Sequence, residues 1–342
     1  MEIEFVHTTE GLEELRAEWN DLLQTAVTNT PFQRHEYQSV WWSTRGGGEW
    51  DSGELWIATG RDEAGDLRAI APLFHTSDQE ERASLRLIGS IEISDYLDLI
   101  AAQEHLQDFV GALFTSLDRQ GPEGWQSLDL SNLTEGSPTI EVMKEAAEAL
   151  GWEVDRQRLQ PCPIVSLPDS WDDYLDQLDS KQGRELRRKM RKAQGYPASV
   201  DWYIVTERSD LETSVDTFLS LMENDSAKAE FLTDAMRSQF HRMCAAAFEN
   251  GWLQIAFLTV SNEPIFGYVN FDYENQLWIY NSGFDPAHFD LSAGWVLMGH
   301  LIKWAIDEGR EAVDFLRGDE SYKYRLGGQD RFIERLSIRR GQ

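Results

Sequence analysis

The sequence predicts an α/β protein of two domains that share one topology, each a mixed twisted sheet flanked by helices. Three observations carry this. At 342 residues the chain exceeds what one hydrophobic core usually organises. The order of elements in the first half returns in the second. Each half also contains a strand, a helix and a strand at a length suited to a right-handed parallel crossover.

Residues 3–7 alternate as a strand, and Thr8 or Thr9 can cap a helix with Leu12, Leu15, Trp19 and Leu22 on one face. A second helix is expected near His35–Thr44, then strands near 54–60 and 68–75 joined by the polar turn Asp62–Asp66. The crossover is read as Tyr96–Ile100, Glu104–Arg119 and Ser127–Leu130. In the second half the strand is 200–206. Ser209 is the expected cap of a helix bearing Leu211, Val215, Phe218 and Met222. A helix over Thr233–Glu249 and strands near 252–260 and 264–273 follow, with the turn Ser261–Pro264 between the strands. The second crossover is Leu277–Gly283, Ala293–Glu308 and Ala312–Leu316. Three prolines interrupt the pattern near Pro161–Pro168, which sets expected domains of 1–165 and 166–342.

Hydrophobic residues make up 41%, enough for a core in each domain, while the formal net charge is −29. Such a surface repels polyanions, so no nucleic-acid partner is expected. The start lacks a basic segment leading into an apolar run, so no signal peptide is expected. The apolar stretch Trp295–Ile306 is too short to span a bilayer and contains His300 and Lys303, so no membrane partner is expected. A cytoplasmic monomer or homodimer fits these features. Cys162 and Cys244 allow at most one disulfide, and neither has a nearby histidine that would suit a nucleophile. The seven histidines show no metal spacing with one another or with cysteine, so no metal is expected.

The chemistry concentrates in residues 277–327. Ser292-Ala293-Gly294 opens a helix after a loop containing Asp285-Pro286. Small residues there admit a ligand to free N–H groups and the helix dipole, which favours an anion such as a pyrophosphate. An ordinary cap by Ser292 is the plainer reading. Beyond the strand Ala312–Leu316 lie Arg317, Asp319 and the run Ser321–Arg325, where open α/β sheets bind ligands. A tyrosine there can protonate a leaving thiolate, and a lysine or arginine can hold a phosphate or an oxyanion. A solvated charged turn is the alternative. Seven basic residues over Lys181–Lys192, against Glu185 alone, suit either a phosphate contact or pairing with the acidic surface. His35 suits either a cleft or the interior. Trp41, Trp42, Trp278 and Trp295 are cleft candidates among thirteen tryptophans.

Asp314-Phe315-Leu316-Arg317-Gly318-Asp319-Glu320 with Tyr322-Lys323-Tyr324-Arg325 resembles the C-terminal signature of the CelD-like GNAT acyltransferases, a group related to the Fem-type peptidyltransferases. Pro31-Phe32 with Trp41-Trp42, Asp95-Tyr96-Leu97-Asp98, the basic segment from Ser180-Lys181 to Lys192, and Glu223–Leu232 resemble further family motifs, so the likeness spans nearly the whole chain. It implies two tandem GNAT-like domains, with acetyl-CoA or another acyl-CoA as co-substrate and the amine of a small-molecule or sugar-type acceptor as partner. It implies cofactor contacts at Ser292, Ala293, Gly294, Tyr280, Ser282 and Arg317. Catalytic roles are expected for Tyr322 or Tyr324 as acid, Lys323 in transfer, and Asp319 or Glu320 as base. His35, Tyr37, Trp41, Tyr96 and Arg325 are the expected substrate contacts. The common GNAT pyrophosphate loop has a basic or amide residue and a first glycine where this chain, aligned on Gly294, has Phe289 and Ser292. A Fem-like aminoacyl transferase acting on a cell-wall precursor, and a non-catalytic module of polysaccharide production, are the rival readings.

Overall fold

The computed structural model describes residues 1–50, 52–77, 82–89 and 91–341. Two compact units form: Met1–Gln160 together with Phe332–Gln342, and Pro161–Arg331. The boundary expected between residues 165 and 166 thus falls inside a strand, and the chain's last residues fold with the first unit.

The first unit contains β1 (Glu2–Val6), α1 (Thr9–Glu14), α2 (Arg16–Leu23), α3 (His35–Thr44), β2 (Glu54–Leu55), β3 (Ile57–Arg61), β4 (Leu67–Ala71), β5 (Leu73–Ser77) and β6 (Ala83–Leu87). Then come β7 (Ile100–Ala101), α4 (Gln103–Gln120), β8 (Ser127–Thr134), α5 (Pro138–Ala149) and the first part of β9 (Glu153–Ser166). Thr8 caps α1, its side chain accepting from the Gly11 N–H. One sheet has the order β1-β3-β4-β7, and β8-β6-β5-β2 form a second run in which β6 and β8 are parallel. Leu106, Phe109, Val110, Leu113, Phe114 and Leu117 form the buried face of α4. The strand expected at Tyr96–Ile100 is reduced to β7, with a single parallel bridge from Leu97 to Leu133. In this segment the buried Asp98 carboxylate accepts hydroxyl hydrogen bonds from Thr28 and Ser137 at 2.7 and 2.6 Å.

The second unit contains α6 (Trp171–Gln177), α7 (Ser180–Gln194), β10 (Val200–Ile204), α8 (Leu211–Met222), α9 (Ser226–Phe231) and α10 (Asp234–Glu249). It continues with β11 (Leu253–Val260), β12 (Glu263–Tyr273), β13 (Gln276–Phe284), α11 (Ala293–Asp307), β14 (Ala312–Asp314) and α12 (Ser321–Arg325). A last strand, β15 (Gln329–Arg339), leaves this unit, and its residues 333–339 pair with β8 of the first. The sheet runs β10-β11-β12-β13-β14, and β14 pairs in turn with residues 164–166 of β9. Its two hairpins turn on Ser261-Asn262 (φ 51° and 68°) and Glu274-Asn275 (φ 47° and 57°), the doubly left-handed geometry that matches strand twist. Val296, Leu297, Leu301, Ile302 and Ala305 of α11 pack into a core with Ile265, Leu277 and Ile279. Ser209 does not cap α8; its hydroxyl donates to Asp210, and a short 3-10 turn over Arg208–Asp210 leads into the helix.

Candidate active site

The site begins where two parallel strands part. β13 pairs with β14 only at Gln276–Ala312, Leu277–Val313 and Trp278–Asp314, yet β13 runs on to Phe284. The cause lies in the chain after Asp314. Phe315 N–H donates to Pro163 O and Gly318 N–H to Pro161 O, both at 2.9 Å, so this segment follows β9 instead of β13. Both prolines lack an N–H and offer only their carbonyls here. They lie within β9, where the sequence suggested an interruption. The fully buried Asp314 reinforces the turn by accepting from Leu316 N–H and from the Arg331 guanidinium, each at 2.8 Å. Leu316 is held at φ 56° and Gly318 at φ 116°. The φ of Gly318 is one that residues with a side chain rarely adopt, so the position favours glycine. On the other strand, Asn281 pairs with Val269 and Ile279 with Asn270, leaving Tyr280 as a bulge residue just past the parting.

A cavity of about 210 Å³ lies at this opening. Phe266, Tyr268 and Ser282 line it from the strands, Gly294, Trp295 and Met298 from α11, and Tyr322 and Leu326 from α12 and its end. Gly294 is needed because a β-carbon there would approach the Phe266 ring to 2.9 Å. Tyr322 packs edge-on against Phe315 at 6.0 Å. Burial, and then the Glu320 carboxylate, push its phenol above the usual range, so it holds its proton at neutral pH. Tyr268, fully enclosed, is raised by burial and by Tyr322.

Ser292 is not a conventional cap. Its backbone is left-handed at φ 53° and its hydroxyl makes no capping bond. Instead it accepts from Lys189 Nζ at 2.7 Å, and Lys189 also lies 5.5 Å from the Trp295 ring centroid. Lys192 donates to the carbonyl of Asp290 in the preceding loop. The basic helix α7 thus brings two ammonium groups to the start of α11, which is already the positive end of a helix dipole.

Of the expected site residues, Ser282, Gly294 and Tyr322 line the cavity, and Ser292 and Ala293 form the adjoining helix start. Arg317 is half-buried on the turn. Tyr280 is instead part of an aromatic cluster, 5.0 Å from Phe271 and 6.1 Å from Phe240, and does not line the cavity. Lys323 is 2% exposed, and its ammonium is committed to the carbonyls of Leu316, Arg317 and Gly318 and to Glu320. That environment makes it a clamp on the turn. Tyr324 is exposed and donates to Asp330 at 2.8 Å; this bond pushes its phenol up to about 12. Asp319 and Arg325 are exposed.

The expected substrate contacts in the first unit are corrected. His35, Tyr37, Trp41 and Tyr96 each have 0% exposure. His35 Nε2 bonds Leu12 O at 2.8 Å, and Tyr37 donates to Ile93 O at 2.5 Å. These four groups are interior in this structure and do not line a surface pocket.

Lys228 escaped the sequence reading. It extends from α9 and donates to Asn281 Oδ1 at 3.0 Å and to both the carbonyl and the hydroxyl of Ser282. Burial lowers its pKa, against the opposing charges of Asp225 and Glu320. A surface-type residue in a short helix gave no periodic signal; only the strand it reaches shows its place.

The splayed strands, the helix start between them and the β-bulge define a GNAT-type acyltransferase fold, here in tandem. Residues 180–324 match the family described as Acetyltransferase (GNAT) domain. The whole chain resembles solved structures at low sequence identity. FemX is similar at TM-score 0.66 and 10% identity, covering 99% of this chain and 97% of that one. A conserved protein of unknown function from Bacteroides thetaiotaomicron is similar at 0.60 and 11%, covering 99% and 100%. A tandem GNAT protein from the clavulanic acid biosynthesis pathway is similar at 0.51 and 12%, covering 100% and 99%. No curated protein matches by sequence. The chain therefore has a tandem GNAT fold, and the match to the GNAT acetyltransferase domain lies in its second unit. Among the described residues no helix is long and apolar enough to cross a membrane, and no group of acidic, histidine and cysteine residues is placed to hold a metal.

Proposed function

We propose that the second unit transfers an acyl group from acyl-CoA to the amine of a small-molecule or sugar-type acceptor. The carrying observation is that Tyr322 lines the cavity at the parting of β13 and β14, next to a helix start that receives Lys189 and Lys192. These residues fit a thioester on a phosphorylated carrier. The free N–H groups at Ala293 and Gly294, with the two ammonium groups, suit a pyrophosphate despite Phe289 and Ser292 in place of the usual loop residues. The cavity is small, about 210 Å³, which suits a slender arm better than a bulky ligand.

Acetyl-CoA or another acyl-CoA supplies the reactive thioester when bound. The amine nitrogen forms the new bond to the acyl carbon as the carbon–sulfur bond breaks. Tyr322, which its raised pKa keeps protonated at neutral pH, donates its phenolic proton to the departing sulfur and is then reprotonated by the amine's surplus proton. That proton passes by way of Glu320 or water. Glu320 replaces Asp319 in this reading because it is the carboxylate whose charge reaches Tyr322 and Lys228. Lys228 fixes Ser282 on the cavity wall, and Lys323 fixes the turn that carries Glu320. An aminoacyl-tRNA donor is disfavoured by the net charge of −29.

The test is acyl transfer from isotopically labelled acetyl-CoA to a panel of amines, amino sugars and polyamines, followed by mass spectrometry. An acetylated amine that disappears with Tyr322→Phe supports the proposal. Absence of any product across the panel, with acetyl-CoA bound, would leave the chain a binding module and sink the catalytic reading.

A further inference from the structure

A second hollow, of about 660 Å³, opens on the flank of α11 in the second unit. It is separate from the helix start: His300 lies about two turns beyond Ser292, roughly 12 Å along the helix. Its walls are flat rings. Trp171 from α6, Trp202 from β10 and Trp304 from α11 face it, each half-buried. Trp202 stacks on His300 with centroids 5.2 Å apart and planes 18° from parallel. Burial, and then the charge of Lys303, lower the pKa of His300, so its ring is neutral at pH 7.

Its rim is cationic. Arg187 and Arg191 project from successive turns of α7, and Lys303 from α11. Among the described residues the acid lining it is Asp307, which Lys303 already pairs. Arg187 reaches Asp172 and Asp176 only at 4.0 and 3.7 Å, and both carboxylates are exposed. Close helix crossing sets this arrangement. A β-carbon at Gly299 would come within 2.8 Å of Met190 Sδ and 3.1 Å of Leu186, so the glycine lets α7 lie directly on α11. The two faces of α7 then differ: Lys189 and Lys192 meet the start of α11, while Arg187 and Arg191 meet this hollow.

Aromatic planes accept a base by stacking, and guanidinium groups bind phosphate oxygens in pairs. Arg191, with Arg187 and Lys303 exchanged from their exposed carboxylate partners, can meet a compact anion, while the field of a chain of charge −29 repels a polymer. We propose that this hollow binds a nucleoside diphosphate, its base between the tryptophans and its phosphates on Arg187, Arg191 and Lys303. That chemistry occurs in a free nucleotide and in a nucleotide-linked substrate; the diphosphate of acyl-CoA is already placed at the start of α11.

Calorimetry on the full chain with ADP and UDP tests it. Saturable binding at one site is expected. Arg187→Ala with Arg191→Ala should weaken it tenfold or more, and Trp304→Ala should weaken it with the circular dichroism spectrum unchanged. Titration of ADP into protein saturated with acetyl-CoA separates the hollow from the acyl-donor site. Independent binding assigns the hollow to a second ligand and supports the site, whereas full competition would place ADP at the acyl-donor site and overturn the proposal. No heat up to millimolar ADP and UDP would overturn the proposal. So would wild-type affinity in the folded double-arginine variant, or tighter binding of a short oligonucleotide than of ADP.

Discussion

The ammonium nitrogen of Lys189 lies 2.7 Å from the hydroxyl of Ser292, tying α7 to the first turn of α11. A serine at a helix start normally spends its oxygen on a backbone N–H two or three residues ahead. Here the oxygen faces a cation, and the N–H groups of the first turn are left to other partners.

Lys189→Met should therefore weaken acetyl-CoA binding by roughly tenfold, the size of one charge-assisted contact. Fold stability should change by less than about 1 kcal/mol, since the side chain's pairing with Glu185 is partly exposed. Calorimetry and urea unfolding on the same sample separate the two effects.

Tyr322→Phe removes the proton donor at the cavity. Turnover should fall by roughly a hundredfold or more while acetyl-CoA affinity is retained. Tyr324→Phe should leave turnover within about twofold, because its hydroxyl is bound to Asp330 on the exposed side of α12. Equal losses in the two variants would contradict the assignment.

Lys323→Met tests the clamp. It leaves the carbonyls of Leu316, Arg317 and Gly318 without their buried donor, at a cost of about 1–3 kcal/mol or more. The urea midpoint should drop, and activity should fall with it. A variant of native stability that has lost only turnover would restore Lys323 to the chemistry.

The pH dependence of stability follows from the interior histidines. Burial is the main cause lowering the pKa of His35 from 6.5, with the same sign at His75 and His300. As pH falls through 6.5 the unfolded chain takes up a proton that the folded chain refuses, so stability is lost on acidification. For a single such site the slope reaches at most about 1.4 kcal/mol per pH unit. Urea midpoints at pH 7.5 and 5.5 should differ more in the wild type than in His35→Gln.

How much of this was legible in the sequence varies by region. Periodicity located the hairpins of the second unit and α11, because Val296, Leu297, Leu301 and Ile302 repeat at helical spacing above a core. The charged run after Ala312 placed Tyr322 at the site. Choosing between Tyr322 and Tyr324 needed the direction of α12, which a five-residue helix does not announce. His35, Tyr37, Trp41 and Tyr96 misled because the same aromatic and polar residue types serve a pocket and a hydrogen-bonded interior equally well. Asp98 gave a different false cue: a carboxylate in an alternating segment reads as a strand's outer face, but here it is buried and binds hydroxyls. Lys228 and the exchange of residues 332–342 into the first unit depend on contacts distant in sequence, which no local pattern records.

The central claim is that the parted strands and the cationic helix start form an acyl-CoA site. Titration of acetyl-CoA into the full chain at low salt addresses it most directly. One saturable site is predicted, weakened by added salt and by Lys189→Met. Absence of saturable binding up to millimolar acetyl-CoA, in protein shown to be folded, would contradict it.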